Sequence, residues 1–134
     1  MRLSELKPQF IRYEVGIASK HHGRKLDDGT IQWGGFPVDM KRHVDDIADA
    51  QGVYFLCPKC FIKNNGPKGT HICEVTFRNK GVLDNQGTHN TNGIPVRWNV
   101  TGNDFNDITT TPSVLIQSGC GWHGFITNGE VTII

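Results

Sequence analysis

Apolar and polar residues alternate from Phe10 to Ile17, with Ile11, Tyr13, Val15 and Ile17 on one side and Arg12 and Glu14 on the other. A two-residue period belongs to a half-buried strand. The alternation returns at His71 to Arg78, where His71, Cys73, Val75 and Phe77 face one way and Ile72, Glu74, Thr76 and Arg78 the other. Val96, Trp98 and Val100 mark another strand, and Thr30 to Trp33 a short one. Val53-Tyr54-Phe55-Leu56 and Val114-Leu115-Ile116 are apolar runs too short for helices. Phe125 to Ile133 is centred on Asn128-Gly129, a favoured type I′ turn pair, and predicts a hairpin. Only from about Val38 to Gln51 does the period lengthen. There Met40, Val44, Ile47, Ala48 and Gln51 fall at helical spacing, with Gly52 where a C-terminal cap is expected. The pattern predicts a single α+β domain over residues 1–134, built mostly of short antiparallel strands with one helix.

Composition sharpens this picture. Sixteen glycines among 134 residues imply many turns, and 37% hydrophobic content is enough for a core. A net charge of +1 gives no general pull toward nucleic acid, although Lys20 to Lys25 and Lys41-Arg42-His43 could form a patch. No apolar run approaches the roughly 20 residues of a membrane-spanning helix. The opening Met1 to Pro8 is charged and broken by proline, unlike a secretory signal, so a reducing, cytoplasmic setting is expected.

In that setting the four cysteines point to metal. Cys57-Pro58-Lys59-Cys60 and Cys120-Gly121-Trp122-His123 each place two ligand-type side chains three positions apart around a tight turn. Cys57, Cys60, Cys120 and His123 would fill a tetrahedral zinc shell, clipping two distant turns together as in a zinc ribbon. A full shell leaves no position for water, which favours a structural metal. With no His-Glu-x-x-His spacing either, a metallohydrolase is excluded. Cys73, beside Val75 and Phe77, reads as a small core residue. Were it to replace His123, the shell would be all cysteine and His123 would be free for chemistry.

His71 shares the Cys73 face and could approach either the metal or a reactive serine. Ser113, which follows Pro112, is a candidate nucleophile if His71 and an acid such as Asp107 lie near it in space; a serine that merely ends a loop would read the same. Gln117-Ser118-Gly119-Cys120-Gly121-Trp122 is superficially similar to a cysteine-protease nucleophile turn, but its cysteine is better used on metal. His21-His22 with Arg24 and Lys25 reads as a solvated turn rather than a phosphate site.

Ala50 to Phe61, Gly69-Thr70-His71 and Cys120 to Phe125 together resemble a family of small phage and prophage proteins often labelled "ammonia monooxygenase". With Pro112-Ser113 and His123-Gly124-Phe125-Ile126 ahead of Asn128-Gly129, the last third is also similar to a broader family of bacterial domains. Those domains occur beside ubiquitin-like conjugation genes and are suspected peptidases. The resemblance spans about residues 50–134. It implies a zinc-stabilised, β-rich domain with Ser113 and His71 as positions for hydrolysis of a ubiquitin-like tail. A monooxygenase is excluded physically, since that activity belongs to a membrane assembly with copper or iron sites. Three roles are therefore expected, in this order: a zinc-stabilised phage or prophage accessory protein with serine-type peptidase or amidohydrolase activity, a non-enzymatic zinc-ribbon adaptor for a host or phage protein, and a nucleic-acid-binding module.

Overall fold

A computed structural model describes residues 1–116 and 120–134. Along the chain run β1 (Gln9–Ile17), β2 (Gly23–Lys25), β3 (Ile31–Trp33), β4 (Pro37–Val44) and β5 (Gly52–Leu56). The single α-helix among the described residues, α1 (Pro58–Asn64), follows. Then come β6 (Ile72–Thr76), β7 (Asn99–Thr101), β8 (Thr109–Leu115), β9 (His123–Thr127) and β10 (Glu130–Val131). Two four-stranded sheets form, in the orders β4-β1-β5-β6 and β10-β9-β8-β7, and β2 and β3 make a separate ribbon. Every paired strand is antiparallel. The α+β architecture with one helix is as the alternation predicts.

Buried side chains of both sheets join in one core: Phe10, Val53, Phe55 and Val75 from the first, Val114, Ile126 and Val131 from the second, with Leu3, Leu6 and Trp122 between strands. Trp122 meets Phe55 edge-on, with ring centroids 5.8 Å apart, and donates its Nε1–H to the Thr132 carbonyl at 3.2 Å. A buried indole needs such a partner, because an unpaired N–H loses its hydration without compensation. Gly124 has no room for a side chain, since a Cβ there would collide with the Thr132 carbonyl and the Trp122 indole.

The expected helix at Val38 to Gln51 is not formed. Residues Pro37–Val44 are β4, paired with β1 from Phe10↔Val44 to Ile17↔Pro37, and only a short 3-10 turn, Ile47–Asp49, follows. Most of β4 is exposed, so its apolar spacing reports no buried stripe, and the long edge of β1 decides its conformation. Beyond Ile11, β1 pairs with β4 alone; Val15 and Ile17 there are exposed, as are Ile31 and Trp33 on the ribbon. The true helix begins inside the first knuckle, with Cys57 at its N-cap and Pro58 in the first turn, where a missing N–H costs nothing. It ends at Asn65 in the left-handed conformation. Seven residues are too few to reveal a helical period. Among the described residues no helix is long and apolar enough to cross a membrane.

Candidate functional site: a cysteine–histidine cluster beside a serine–histidine pair

The first knuckle lies where β5 ends and α1 begins, so Cys57 and Cys60 project from one helical turn on the same side. The Cys57 N–H donates to the His71 carbonyl at 2.9 Å, extending the β5–β6 ladder and bringing His71 alongside. Cys120 arrives from the connection between β8 and β9. The ligand atoms of Cys57, Cys60, His71 and Cys120 all lie within 4.8 Å of one another, a spacing compatible with four donors about 2.0–2.3 Å from a common centre. Cys120 Sγ sits 3.2 Å from Cys57 Sγ and 3.3 Å from His71 Nε2, and Lys59 Nζ donates to the Cys120 carbonyl at 2.9 Å. These residues could hold a metal ion.

Electrostatics within the cluster are uneven. Burial pushes the Cys57 thiol up to about 11, with the neighbouring Cys120 sulfur adding to the rise. Burial also acts upward on Cys120, but hydrogen bonds from His71, Cys57 and the Trp122 backbone outweigh it and bring that thiol down to about 6. One negative charge thus settles on the more exposed Cys120, ready to meet a cation. Cys73 is buried in the core with Val75 and Phe77 and lies outside the cluster; burial above all holds its thiol protonated.

Three expected ligands, Cys57, Cys60 and Cys120, come together here, and the histidine beside them is His71 rather than His123. The reason is the second knuckle's backbone. After Cys120 the chain turns at Gly121, in the left-handed region, and straightens so that His123 opens β9. In a strand successive side chains point to opposite faces, so Trp122 enters the core and His123 leaves on the other side.

There His123 meets Ser113. Leu115 stands opposite His123 in the β8–β9 register, which puts Ser113, two residues earlier, diagonally across from the imidazole. Ser113 Oγ and His123 Nε2 are 3.0 Å apart. The peptide bond between Thr111 and Pro112 is cis, and Ser113 follows directly. The Ser113 carbonyl accepts the Trp98 Nε1–H at 3.2 Å, fixing the backbone beneath the hydroxyl. A histidine nitrogen so placed can accept the hydroxyl proton, which is the arrangement that activates a serine nucleophile.

The expected pairing of Ser113 with His71 is therefore replaced by a pairing with His123. Asp107 joins neither histidine. Its carboxylate accepts from the backbone N–H groups of Asp104 and Asn103 at 2.9 and 2.8 Å, and from Asn103 Nδ2 at 3.1 Å. Those bonds, Asp104's first, hold its carboxyl below the usual range. It closes its own loop, as an Asp three or four residues downstream of free N–H groups tends to do. The protease-like stretch at Gln117-Ser118-Gly119 lies outside the described residues.

Ser113 lines a cleft of about 740 Å³ that runs between β6 and β8. His71 to Glu74 form one wall and Pro112, Ser113, Leu115 and Ile116 the other, with Trp98 also lining it. The loop from Thr88 to Thr91 completes it. That loop is held by His89, whose two ring nitrogens lie 2.9 and 2.6 Å from the Gly87 and Asp84 carbonyls. Of the cysteine–histidine cluster, His71 at the start of β6 lines the same cleft as Ser113.

The small antiparallel domain thus sets a serine–histidine pair beside a cysteine–histidine cluster that could hold a metal ion. The family described as the bacterial ubiquitination-like system serine protease (BubE) matches residues 38–134, and the chain belongs to it. No curated protein and no solved structure matches the chain significantly.

Proposed function

We propose that the chain is a serine protease that trims a peptide tail of a ubiquitin-like protein, with Ser113 as nucleophile and His123 as general base. The observation that carries this reading is the 3.0 Å contact between His123 Nε2 and the Oγ of Ser113, itself on the wall of an open cleft, in a chain of the BubE family. In the acylation step His123 takes the hydroxyl proton as Oγ attacks the scissile carbonyl. The same nitrogen then protonates the departing amine, leaving an ester on Ser113 that water hydrolyses with His123 again as base. Among the described residues no carboxylate bonds to His123, so the pair acts as a dyad.

The four-residue cluster is read as a structural zinc site. Three thiolates and an imidazole are a donor set zinc favours, and four protein ligands complete a tetrahedral shell without an open position. A metal there supplies a fixed cross-link between the β5–α1 turn, the start of β6 and the approach to β9. It thereby holds Cys120, three residues ahead of the base. The four cysteines are all unpaired, which suits a reducing compartment such as the cytoplasm. A fluorophosphonate probe tests the reading: it should label the wild-type protein on Ser113 and leave Ser113→Ala unmodified. Labelling that survives Ser113→Ala, or no labelling of the folded protein, would end it.

A further inference from the structure

β6 is an edge strand of its sheet, and part of its outward main chain is already in use. The register with β5 runs from Gly52↔Thr76 to Leu56↔Ile72, and the flanking bonds Cys57 N–H to His71 O and Phe77 N–H to Gln51 O fix its phase. The main-chain groups of His71, Cys73, Val75 and Phe77 therefore point to β5, and those of Ile72, Glu74 and Thr76 point away from it. At the C-terminal end the protein covers this outer edge with its own chain. Trp98 N–H donates to the Thr76 carbonyl at 2.9 Å and Arg78 N–H to the Trp98 carbonyl at 2.7 Å, a parallel bridge at Phe77↔Trp98. Thr88 Oγ1 then caps the Glu74 carbonyl at 3.2 Å. Further along, among the described residues, nothing pairs with the N–H and C=O of Ile72 or the N–H of Glu74. Ile72 and Glu74 both line the cleft that holds Ser113. Two apolar residues stand beside them, Ile72 62% and Leu115 49% exposed.

We infer that the cleft takes its substrate as an added β-strand: an extended, unstructured polypeptide tail pairs with the free edge of β6 at Ile72 and Glu74. It occupies there the place Trp98 occupies at Thr76 and Arg78, and its main chain passes Ser113. The ligand class is a flexible peptide segment recognised by its backbone, with alternate side chains resting on Ile72 and Leu115. A mobile tail has its main-chain donors and acceptors free to pair along one side without breaking structure of its own, which makes it the occupant this edge fits. This rests on Ser113 being the reactive residue, but it is tested separately from it.

The probe is an acetylated peptide of about eight residues, alternating valine and threonine with a lysine at each end. It is added to full-length Ser113→Ala protein, which binds without turnover. Amide exchange is followed by NMR, with N-methylated versions of the peptide as competitors. Exchange of the Ile72 and Glu74 amides should slow roughly tenfold at saturation, and N-methylation should weaken binding roughly tenfold in one of the two alternating frames only. Binding without protection of these two amides, equal tolerance of N-methyl groups in both frames, or no binding at millimolar peptide would each overturn strand addition. None of these results touches the fluorophosphonate labelling of Ser113, so the two readings fail independently.

Discussion

The two knuckles look alike on paper and behave differently in space. Cys57 and Cys60 both reach the cluster, whereas Cys120 and His123, at the same spacing, part company. The first pair sits on the opening turn of α1, where residues three apart share a face. The second pair straddles the entry to β9, where the chain turns at Gly121 in the left-handed region and His123 then opens the strand on the far side from Trp122. Spacing alone does not make a ligand pair; the backbone between the ligands does. The strand also brings the released histidine to Ser113, so one turn serves both the cysteine–histidine cluster and the serine–histidine pair.

Replacing one residue at a time separates the two roles. The largest effect expected is on cleavage. Ser113→Ala and His123→Ala should each lower turnover of a tail-bearing ubiquitin-like substrate by about 10³-fold or more while leaving the bound metal at wild-type stoichiometry. Elemental analysis beside a cleavage assay reads both quantities, and metal loss in His123→Ala would return that residue to the shell. Next, His71→Ala and Cys57→Ser should release the metal and lower the melting temperature together, since a structural zinc contributes several kcal/mol to folding. Cleavage should fall as a consequence, because the approach to β9 loses its anchor.

The pH dependence of metal retention has a definite sign. Binding needs thiolates, and in the metal-free chain Cys120 titrates at about 6 and Cys57 at about 11. Binding at neutral pH must therefore expel a proton from Cys57, so affinity rises with pH. Below about 6, protons also compete at Cys120, and a chromogenic chelator should strip the metal progressively faster as the buffer is acidified. Constant stripping rates from pH 5 to pH 8 would contradict the thiolate shell. Smaller still, Cys73→Ser should keep the metal and cost about 1–3 kcal/mol in chemical denaturation, from burying a hydroxyl without a partner. Asp107→Asn should be the mildest: a slight loss of stability from a weakened loop closure, with kcat unchanged.

How much of this was legible beforehand depended on range. The strands around Phe10 to Ile17, Val53 to Leu56 and Ile72 to Thr76, and the hairpin at Asn128-Gly129, are encoded by local alternation and turn chemistry, and they formed where the pattern put them. The three clustered cysteines were visible from composition and spacing. The assignment of the two histidines was not. His71 joins the cluster only because the β5–β6 register lays it beside Cys57, and a register is a relation between distant segments. The one hint in the sequence was strand periodicity continuing through His123-Gly124-Phe125-Ile126, which implies that His123 faces away from Trp122. Asp107 misled for a related reason: an acid ahead of a serine looks catalytic until its nearest N–H donors prove to be its own loop's. The missed strand at Pro37–Val44 shows the weakness of a periodic signal on a segment with almost no buried face.

The family match begins at residue 38, inside β4, yet the strand that separates β4 from β5 is drawn entirely from residues ahead of it. Leu3 and Leu6 also sit fully buried in the core, and the Leu3 N–H is tied to the Gly129 carbonyl at the far hairpin. A fragment trimmed to the shared region would lose the middle of its first sheet, leaving β4 with no neighbour. Expression boundaries for this chain are accordingly set by where its backbone closes, well upstream of where its kinship with the family can be read.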